Sequence, residues 1–500
     1  MRIVQVSSEA VPFAKTGGLA DVAGALSKAL AELGHEVTLI LPLHSRFLAK
    51  SGVAVEPIGE AFEIPLGDRQ VRIQLQRTQM PGSRVDVVLV DQPDFYDRGG
   101  LYQDPTTKSD YSDNPERFIA FSRAALEAVA RLKLKPDVIQ AHDWQTALVM
   151  ALLEAQFRQW VPDLRRTAAI MTLHNMTFQG AYPSEVMPLT GLGWEYYNWK
   201  HMECWGRVNL LKGGIVFADQ LCTVSPTYSR EIQTAEFGDG LDGVLRDRSE
   251  DLTGILNGID PQEWSPAVDP HLPARYDIES LETGKPTCKR ALQERVKLPV
   301  RADVPLLGMV SRMSWQKGFD LIGVCASRLL ERDVQVVFLG NGQPEYEDLC
   351  RHLALAHPNK VRAVIGYDEA LAHLIEAGSD MFLMPSKFEP CGLNQMYSMA
   401  YGTPPIVRAT GGLADSVVGA TPETLNDGTA TGFSFRDPDP DQLWQQLDWS
   451  LKLFADKLVW RRLQRSGMSR DWSWNRSARE YVALYEKALA RRSEFHRPLL

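Results

Sequence analysis

Apolar and polar positions alternate along this chain in two rhythms. RIVQVSS, near the start, is a short apolar run that closes on serines. LADVAGALSKALAEL then places Leu19, Val22, Ala23, Leu26, Leu30 and Leu33 on one stripe, and HEVTLILP is a second apolar run. Short runs between turn signals predict buried strands, and recurrence at three and four residues predicts an amphipathic helix. Strand, Gly-rich turn, helix and strand make a βαβ unit, whose short apolar strands predict a parallel sheet covered on both faces. VDVVLVD (85–91), PDVIQAHD (136–143), AAIMTLHN (168–175) and DQLCTVS (219–225) continue the series. The first half is therefore expected to be a doubly wound α/β domain.

After LTGILNGID (252–260), PQEWSPAVDPHLPARYD is rich in proline and has no period, which predicts a linker. A second βα series follows: strands at PLLGMVSR, VQVVFLGNG, RAVIGYD, DMFLMPS and PPIVRAT, and helices at KGFDLIGVCASRLLER, DEALAHLIEAG, CGLNQMYSMAYG and GGLADSVVG. The tail from WSWNRSARE onward has helical spacing. The expected organisation is a first Rossmann-like domain over 1–260, a second over 261–475, and a C-terminal helix over 476–500 that returns to the first.

Bulk properties narrow the chemistry. At about 150 residues per domain, 500 residues call for more than one core. A hydrophobic fraction of 44% with 23% charged residues is ordinary for a globular chain. The formal charge of -9, with no Lys/Arg-rich run, disfavours nucleic acid as a partner, so any anionic ligand must be met by locally placed cations. No apolar run approaches the roughly 20 residues of a membrane span, and the start lacks the charge pattern of a signal peptide. Six cysteines without a CxxC pair fit a reducing compartment and indicate no zinc site, so a cytoplasmic location is expected, or a plastid-like stroma for a plant source.

Ligands of doubly wound sheets bind beyond the carboxyl ends of the strands, where two such domains form a cleft. After the first strand, Lys15-Thr16-Gly17-Gly18 combines a cation, permissive glycines and a helix start, a setting for an anion or a sugar hydroxyl. It is neither GxxxxGKS/T nor GxGxxG, which gives no support to a P-loop ATPase or a nicotinamide enzyme. Asp143 and His174 close two further strands and are candidate contacts for sugar hydroxyls, while His142 reads as a satisfied core histidine. In the second domain Arg312 and Lys317 bracket a strand-to-helix turn and are suited to clasp a diphosphate. KFEPCGLNQ places Glu389 just before a helix expected to open at Gly392 and Leu393, whose N–H groups can meet phosphate. A carboxylate beside such a helix start suits the sugar of a nucleotide sugar. Cys391 is expected to be a packed residue rather than a nucleophile.

TGGLAD occurs twice, at 16–21 and at 410–415. Lys15 gives the first copy a cation, whereas Ala409 leaves Gly411 and Gly412 with backbone donors only, so the second copy is expected to contact a donor weakly or not at all. DPDPDQ (437–442) is the one dense acidic match to a metal-binding DxD motif. It directly precedes the helix QLWQQLDWSLKLF, so a Pro-stiffened loop with an Asp cap is the expected role. No metal and no cofactor are expected.

KTGGLADV, AHDW, TLHN, LKGGI, TVSPTYSREI, GILNGID, SRMSWQKG, FEPCGLNQ and TGGLADSV, in this order, resemble the bacterial glycogen synthases and plant starch synthases of glycosyltransferase family 5 over residues 1 to about 480. The resemblance implies a GT-B fold, two Rossmann-like domains facing across a cleft. It implies retaining, metal-independent transfer of glucose from ADP-glucose to the non-reducing-end 4-hydroxyl of an α-1,4-glucan such as glycogen or a malto-oligosaccharide. By the same resemblance Lys15 is a donor-binding lysine, and Asp143 and His174 contact glucose. Arg312 and Lys317 bind the diphosphate, Glu389 and Cys391 line the glucose pocket, and Asn257 falls in a motif near the hinge. His174, Arg312, Lys317 and Glu389 form the expected catalytic set. Asn394 stands where many bacterial members have Thr, and Gln140 where the family often has His. Retention leaves two routes open, a Glu389 nucleophile about 5 Å from an acid partner or same-face attack assisted by the leaving phosphate. The rivals are a phosphorylase or a synthase with another donor, and a silent glucan- or nucleotide-binding protein. The preference for ADP rests on the resemblance alone.

Overall fold

Seven strands precede residue 174: β1 (Arg2–Val6), β2 (Glu36–Pro42), β3 (Glu56–Leu66), β4 (Arg69–Gln79), β5 (Asp86–Asp91), β6 (Val138–His142) and β7 (Ala168–Leu173). Three short ones, β8 (Ala181–Tyr182), β9 (Glu203–Cys204) and β10 (Arg207–Asn209), form a small antiparallel sheet of their own. With β11 (Gln220–Thr223) and β12 (Leu252–Gly254) the main sheet runs β12-β11-β7-β6-β1-β2-β5-β4-β3. All six apolar runs of the first half are strands of its parallel part. The expectation of a purely parallel sheet needs correction, because β3 and β4 form an antiparallel hairpin on the β5 edge. They escape a search for apolar runs because EAFEIPL and RQVRIQLQ alternate, burying Phe62, Ile64, Val71, Ile73 and Leu75 and exposing the charges between them.

This computed structural model describes residues 1–494 and divides the chain into two compact units. The first comprises Met1–Ile255 and the segment from Trp474 onward; the second is Leu256–Ser473. In the first unit, α1 (Gly18–Glu32) lays Val22, Ala23, Leu26 and Leu30 in one core with Ala478, Tyr481, Tyr485 and Ala488 of the C-terminal helix, Trp474–Glu494. Spacings of three and four on both helices produce that seam. The last six residues of the helix expected over 476–500 lie outside the described residues. A second helix, α2 (Trp144–Leu152), follows β6 and is buried along its whole length.

The second unit holds β13 (Leu306–Val310), β14 (Gln335–Gly340), β15 (Val361–Ile365), β16 (Met381–Met384), β17 (Pro405–Arg408) and β18 (Phe433–Phe435) in an all-parallel sheet, ordered β15-β14-β13-β16-β17-β18. Its helices include α3 (Phe319–Glu331), α4 (Glu369–Gly378), α5 (Asn394–Ala400) and α6 (Gly411–Ser416). Among the described residues no helix is long and apolar enough to cross a membrane.

Strand order locates the functional edges. In the first sheet the winding reverses between β1 and β6; in the second it reverses between β13 and β16. At such a reversal successive connections leave to opposite sides and open a crevice beyond the strand ends.

Candidate active site

In the first unit the loops at the reversal carry Lys15, Gly17, Gly18 and Asp143, and His174 directly follows β7 beside them. The α1 start is open: a methyl group built on Gly17 or Gly18 meets nothing within 4 Å. Lys15 is exposed and pairs with Asp21 of the first helical turn at 2.7 Å, so the cation is held over the turn by the helix that follows it. Beneath it lies Glu9, which the sequence reading missed. Its Oε2 accepts from the Thr16 N–H at 2.5 Å and the Thr16 hydroxyl at 2.8 Å. Burial pushes the Glu9 carboxyl up to about 7 against those hydrogen bonds. VSSEA at the end of β1 was the available signal, since an acid one residue beyond the serines of a strand end is itself a switch-point residue.

Asp143 occupies φ +57°, ψ -177°, a region that side chains other than glycine rarely enter. The conformation turns its carboxylate back to β7, where Oδ1 accepts the His174 N–H at 2.7 Å. Burial raises this carboxyl to about 7, hydrogen bonds from His174 and Asn175 oppose the rise, and the charge of Glu9 adds to it. His174 is pushed down to about 3 by burial, so its ring is neutral.

A buried chain of amides sets the tautomer of that ring. Gln5 donates through Nε2 to Gln140 Oε1 at 3.0 Å and to the Tyr485 hydroxyl at 3.1 Å, so its Oε1 accepts from His142 Nε2 at 2.6 Å. The Tyr485 hydroxyl also donates to Gln140 Oε1. With the His142 proton on Nε2, its Nδ1 accepts from His174 Nε2 at 3.0 Å, and the lone pair of His174 is on Nδ1. His142 is thus the satisfied core histidine the sequence implied.

In the second unit the loops after β13 and β16 meet at the reversal. Lys317 Nζ donates to Glu389 Oε2 at 2.5 Å, and the Ser386 hydroxyl donates to the same oxygen at 3.0 Å. Arg312 is exposed, and among the described residues its guanidinium has no hydrogen bond or ion pair. Lys387, also missed by the sequence reading, pairs with Asp320 at 2.5 Å and lies 4.2 Å from the Trp315 ring centroid. Asn394 donates to the Val310 carbonyl at 2.8 Å and so ties α5 to the end of β13.

One boundary is corrected. The helix expected to open at Gly392 begins at Asn394, because Gly392 takes the left-handed φ of +70° and Leu393 becomes the N-cap. Cys391 is buried beside Asn257. Burial pushes its thiol up to about 12, although hydrogen bonds from Asn257 pull the other way, which leaves it protonated at neutral pH.

The two TGGLAD copies are different objects. A methyl on Gly411 would stand 2.0 Å from the Glu389 carbonyl oxygen, and one on Gly412 would stand 2.1 Å from the Cys391 oxygen. Gly412 N–H donates to the Glu389 and Pro390 carbonyls. The second Gly-Gly lets α6 seat directly against the loop that carries Glu389, whereas the first borders open space. DPDPDQ is used locally: Asp439 caps Pro440–Ala455 by accepting from the Asp441 and Gln442 N–H groups.

Comparison with known proteins fits this architecture. A family model described as starch synthase catalytic domain matches residues 2–247, and one described as glycosyl transferases group 1 matches residues 292–458. The catalytic domain of starch synthase IV from Arabidopsis thaliana, solved with ADP and acarbose bound, superposes with a TM-score of 0.89 at 34% identity, covering 98% of this chain and 99% of that one. Sucrose-phosphate synthase from Thermosynechococcus elongatus shares the fold, with a TM-score of 0.57 at 17% identity over 98% of this chain and all of that one. Two Rossmann-like units with polar loops at their strand-order reversals define a glycosyltransferase of the GT-B fold. Glycogen synthase from Anaeromyxobacter dehalogenans is 46% identical over 97% of this chain and 99% of its own. That from Koribacter versatilis is 46% identical over 98% of both. The chain belongs to the starch synthase and bacterial glycogen synthase family, glycosyltransferase family 5. Its activity is accordingly glycosyl transfer of the glycogen and starch synthase type, between a nucleotide sugar and a glucan.

Proposed function

We propose that this enzyme transfers glucose from ADP-glucose to the non-reducing-end 4-hydroxyl of an α-1,4-glucan with retention, needs no metal for the transfer, and works in the cytoplasm. The observation that carries the reading is the cation pair at the β13/β16 reversal. Cleaving the bond from the anomeric carbon to phosphate oxygen leaves about one further negative charge on the departing diphosphate, which must be received in place. Arg312, whose guanidinium has no hydrogen bond or ion pair among the described residues, is placed to receive it. Lys317 exchanges its ion pair with Glu389 for one with the diphosphate, and the N–H groups around Gly392 and Leu393 add fixed donors. Lys15, Gly17, Gly18, Asp143 and His174 are assigned to the charged and sugar parts of the donor, and Cys391 with Asn257 to the wall of the glucose pocket. Gly411 and Gly412 serve the donor by seating the Glu389 loop. ADP as the base-bearing product is supported by its presence in the 34%-identical starch synthase structure.

Glu389 is read as a positioning carboxylate in a same-face transfer. Its Oε2 already accepts from Lys317 and Ser386, which suits an orienting acceptor better than an attacking oxygen. The test is release of nucleoside diphosphate by the purified enzyme with glycogen and either ADP-glucose or UDP-glucose, in excess chelator. Turnover favouring ADP-glucose is expected, and no turnover with either donor overturns the reading. A glucosyl adduct on Glu389, trapped in a slowed variant, would overturn the same-face route.

A further inference from the structure

Three side chains of the second unit, none of them among the residues assigned to transfer, come close together. Glu369 and His373 lie four residues apart on α4 and so share one face of it. His271 comes from the irregular segment between residues 256 and 280. One ligand-capable atom of each lies within 4.8 Å of the other two. His373 is buried, whereas His271 and Glu369 are exposed, so protein closes one side of the triangle and solvent reaches the other.

His373 is prepared in a way that core packing does not require. Its Nδ1 is 2.8 Å from Asp269 Oδ2, and the Tyr401 hydroxyl donates to the same oxygen at 2.5 Å. The His271 N–H donates to the other oxygen, Asp269 Oδ1, at 2.8 Å, so donors surround this side chain. A carboxyl group that accepts from Tyr401 and His271 accepts from His373 as well, which puts the His373 proton on Nδ1 and leaves the lone pair on Nε2. That Nε2 is buried, on a side chain only 1% exposed, and among the described residues has no hydrogen-bond partner. Stacking fixes the ring as well: Trp264 lies 3.9 Å from it at an interplanar angle of 11° and in turn stacks on Tyr397 at 3.8 Å. The imidazole cannot rotate to satisfy the lone pair elsewhere.

An imidazole oriented through Nδ1 by a carboxylate, joined by a second imidazole and a carboxylate, is a donor set for a borderline divalent metal. Mg2+ and Ca2+ prefer all-oxygen shells and are poorly served by two nitrogens. We propose that His271, Glu369 and His373 bind a divalent transition metal, Zn2+ in the first place, through His373 Nε2, with a fourth position left to water. Tetrahedral bonds of about 2.0–2.1 Å set ligand atoms about 3.3 Å apart. The exposed His271 and Glu369 side chains have to close by roughly 1.5 Å at most from the 4.8 Å separation. The ion links the segment that carries Asp269 and His271 to α4, so its effect is on the stability of the second unit. None of its ligands is among the groups assigned to transfer, so this inference and the functional reading stand or fall separately.

The experiment uses the full chain, stripped with chelator and dialysed, with Zn2+ alone as the probe in titration calorimetry and Co2+ alone for visible d–d absorption. One ion per chain is expected, together with a rise in the thermal midpoint on adding Zn2+. Glu369→Gln and His271→Ala change exposed side chains and should keep the metal-free midpoint while weakening Zn2+ binding by about tenfold or more. Absence of Zn2+ binding at submillimolar concentration overturns the proposal. So does binding that both variants leave unchanged, because the ion is then held elsewhere.

Discussion

Alanine at the two Gly-Gly turns should have opposite effects on stability. A methyl on Gly411 would stand 2.0 Å from the Glu389 oxygen, where at least 3.0 Å is needed, so the loop or the α6 start must give by about 1 Å. Overpacking of this kind costs about 1–3 kcal/mol. Holding alanine at the left-handed φ of +45° adds about 1–2 kcal/mol. A loss of about 3 kcal/mol for Gly411→Ala corresponds, at about 2–4 °C per kcal/mol for a unit of this size, to a fall of roughly 6–12 °C. Gly18 has nothing within 4 Å of its added methyl and sits in the first turn of α1, where alanine gains up to about 1 kcal/mol over glycine. Gly18→Ala should therefore melt with the wild type or above it, while its kcat/KM for the nucleotide sugar falls, because the methyl fills space assigned to the donor. Scanning calorimetry with steady-state kinetics separates the two effects. A Gly411→Ala variant that melts with the wild type, or a Gly18→Ala variant that melts as low as Gly411→Ala was expected to, refutes the reasoning.

The raised carboxyls predict a pH dependence of stability. The Glu9 carboxyl stands at about 7 in the fold against 4.5 as the reference, so between these values the folded chain keeps a proton that the unfolded chain has released. Stability then falls as pH rises from about 4.5 through 7, by about 3 kcal/mol for this group. Urea midpoints should drop between pH 5.5 and 8.5 and drop less in Glu9→Gln; a flat wild-type profile contradicts the assignment. Lys317→Ala should lower kcat at saturating donor by about 10² to 10³, and nearly full turnover would remove Lys317 from leaving-group stabilisation. Cys391 should resist iodoacetamide at pH 8 in the native chain and react once unfolded in urea, as located by mass spectrometry; native labelling there would show an activated thiol. Asp439→Ala should cost about 1 kcal/mol of stability through the lost helix cap and leave chelator-treated turnover intact, which a metal-ligating Asp439 would not.

Much of this architecture was legible along the chain. Apolar runs of four to seven residues separated by helical stripes predict buried parallel strands under helices, so both βα series and the loops carrying Lys15, Arg312 and Glu389 could be read directly, whereas the stretch expected to be a linker after residue 260 packs within the second unit. The β3–β4 hairpin could not be found by that signal, because a strand with one wet face carries its charges in alternation. Lys387 was missed because its partner Asp320 comes from another connection of the sheet, and Glu9 and Ser386 because only the folded course of their own loops brings Thr16 and Glu389 against them.

The repeated TGGLAD marks the division most clearly. Sequence alone determined that each copy follows a strand and opens a helix, although the helix begins at Gly18 in the first copy and one motif position earlier, at Gly411, in the second. It also determined that only the first copy is preceded by a cation. Which copy borders open space and which is filled by the carbonyls of Glu389 and Cys391 was decided by tertiary structure. The same is true of the His174 tautomer, set by Gln5, Gln140 and Tyr485 from two other strands and the C-terminal helix. Local conformation follows from neighbours in the chain, whereas empty space, burial and proton position follow from what the folded chain brings against each residue.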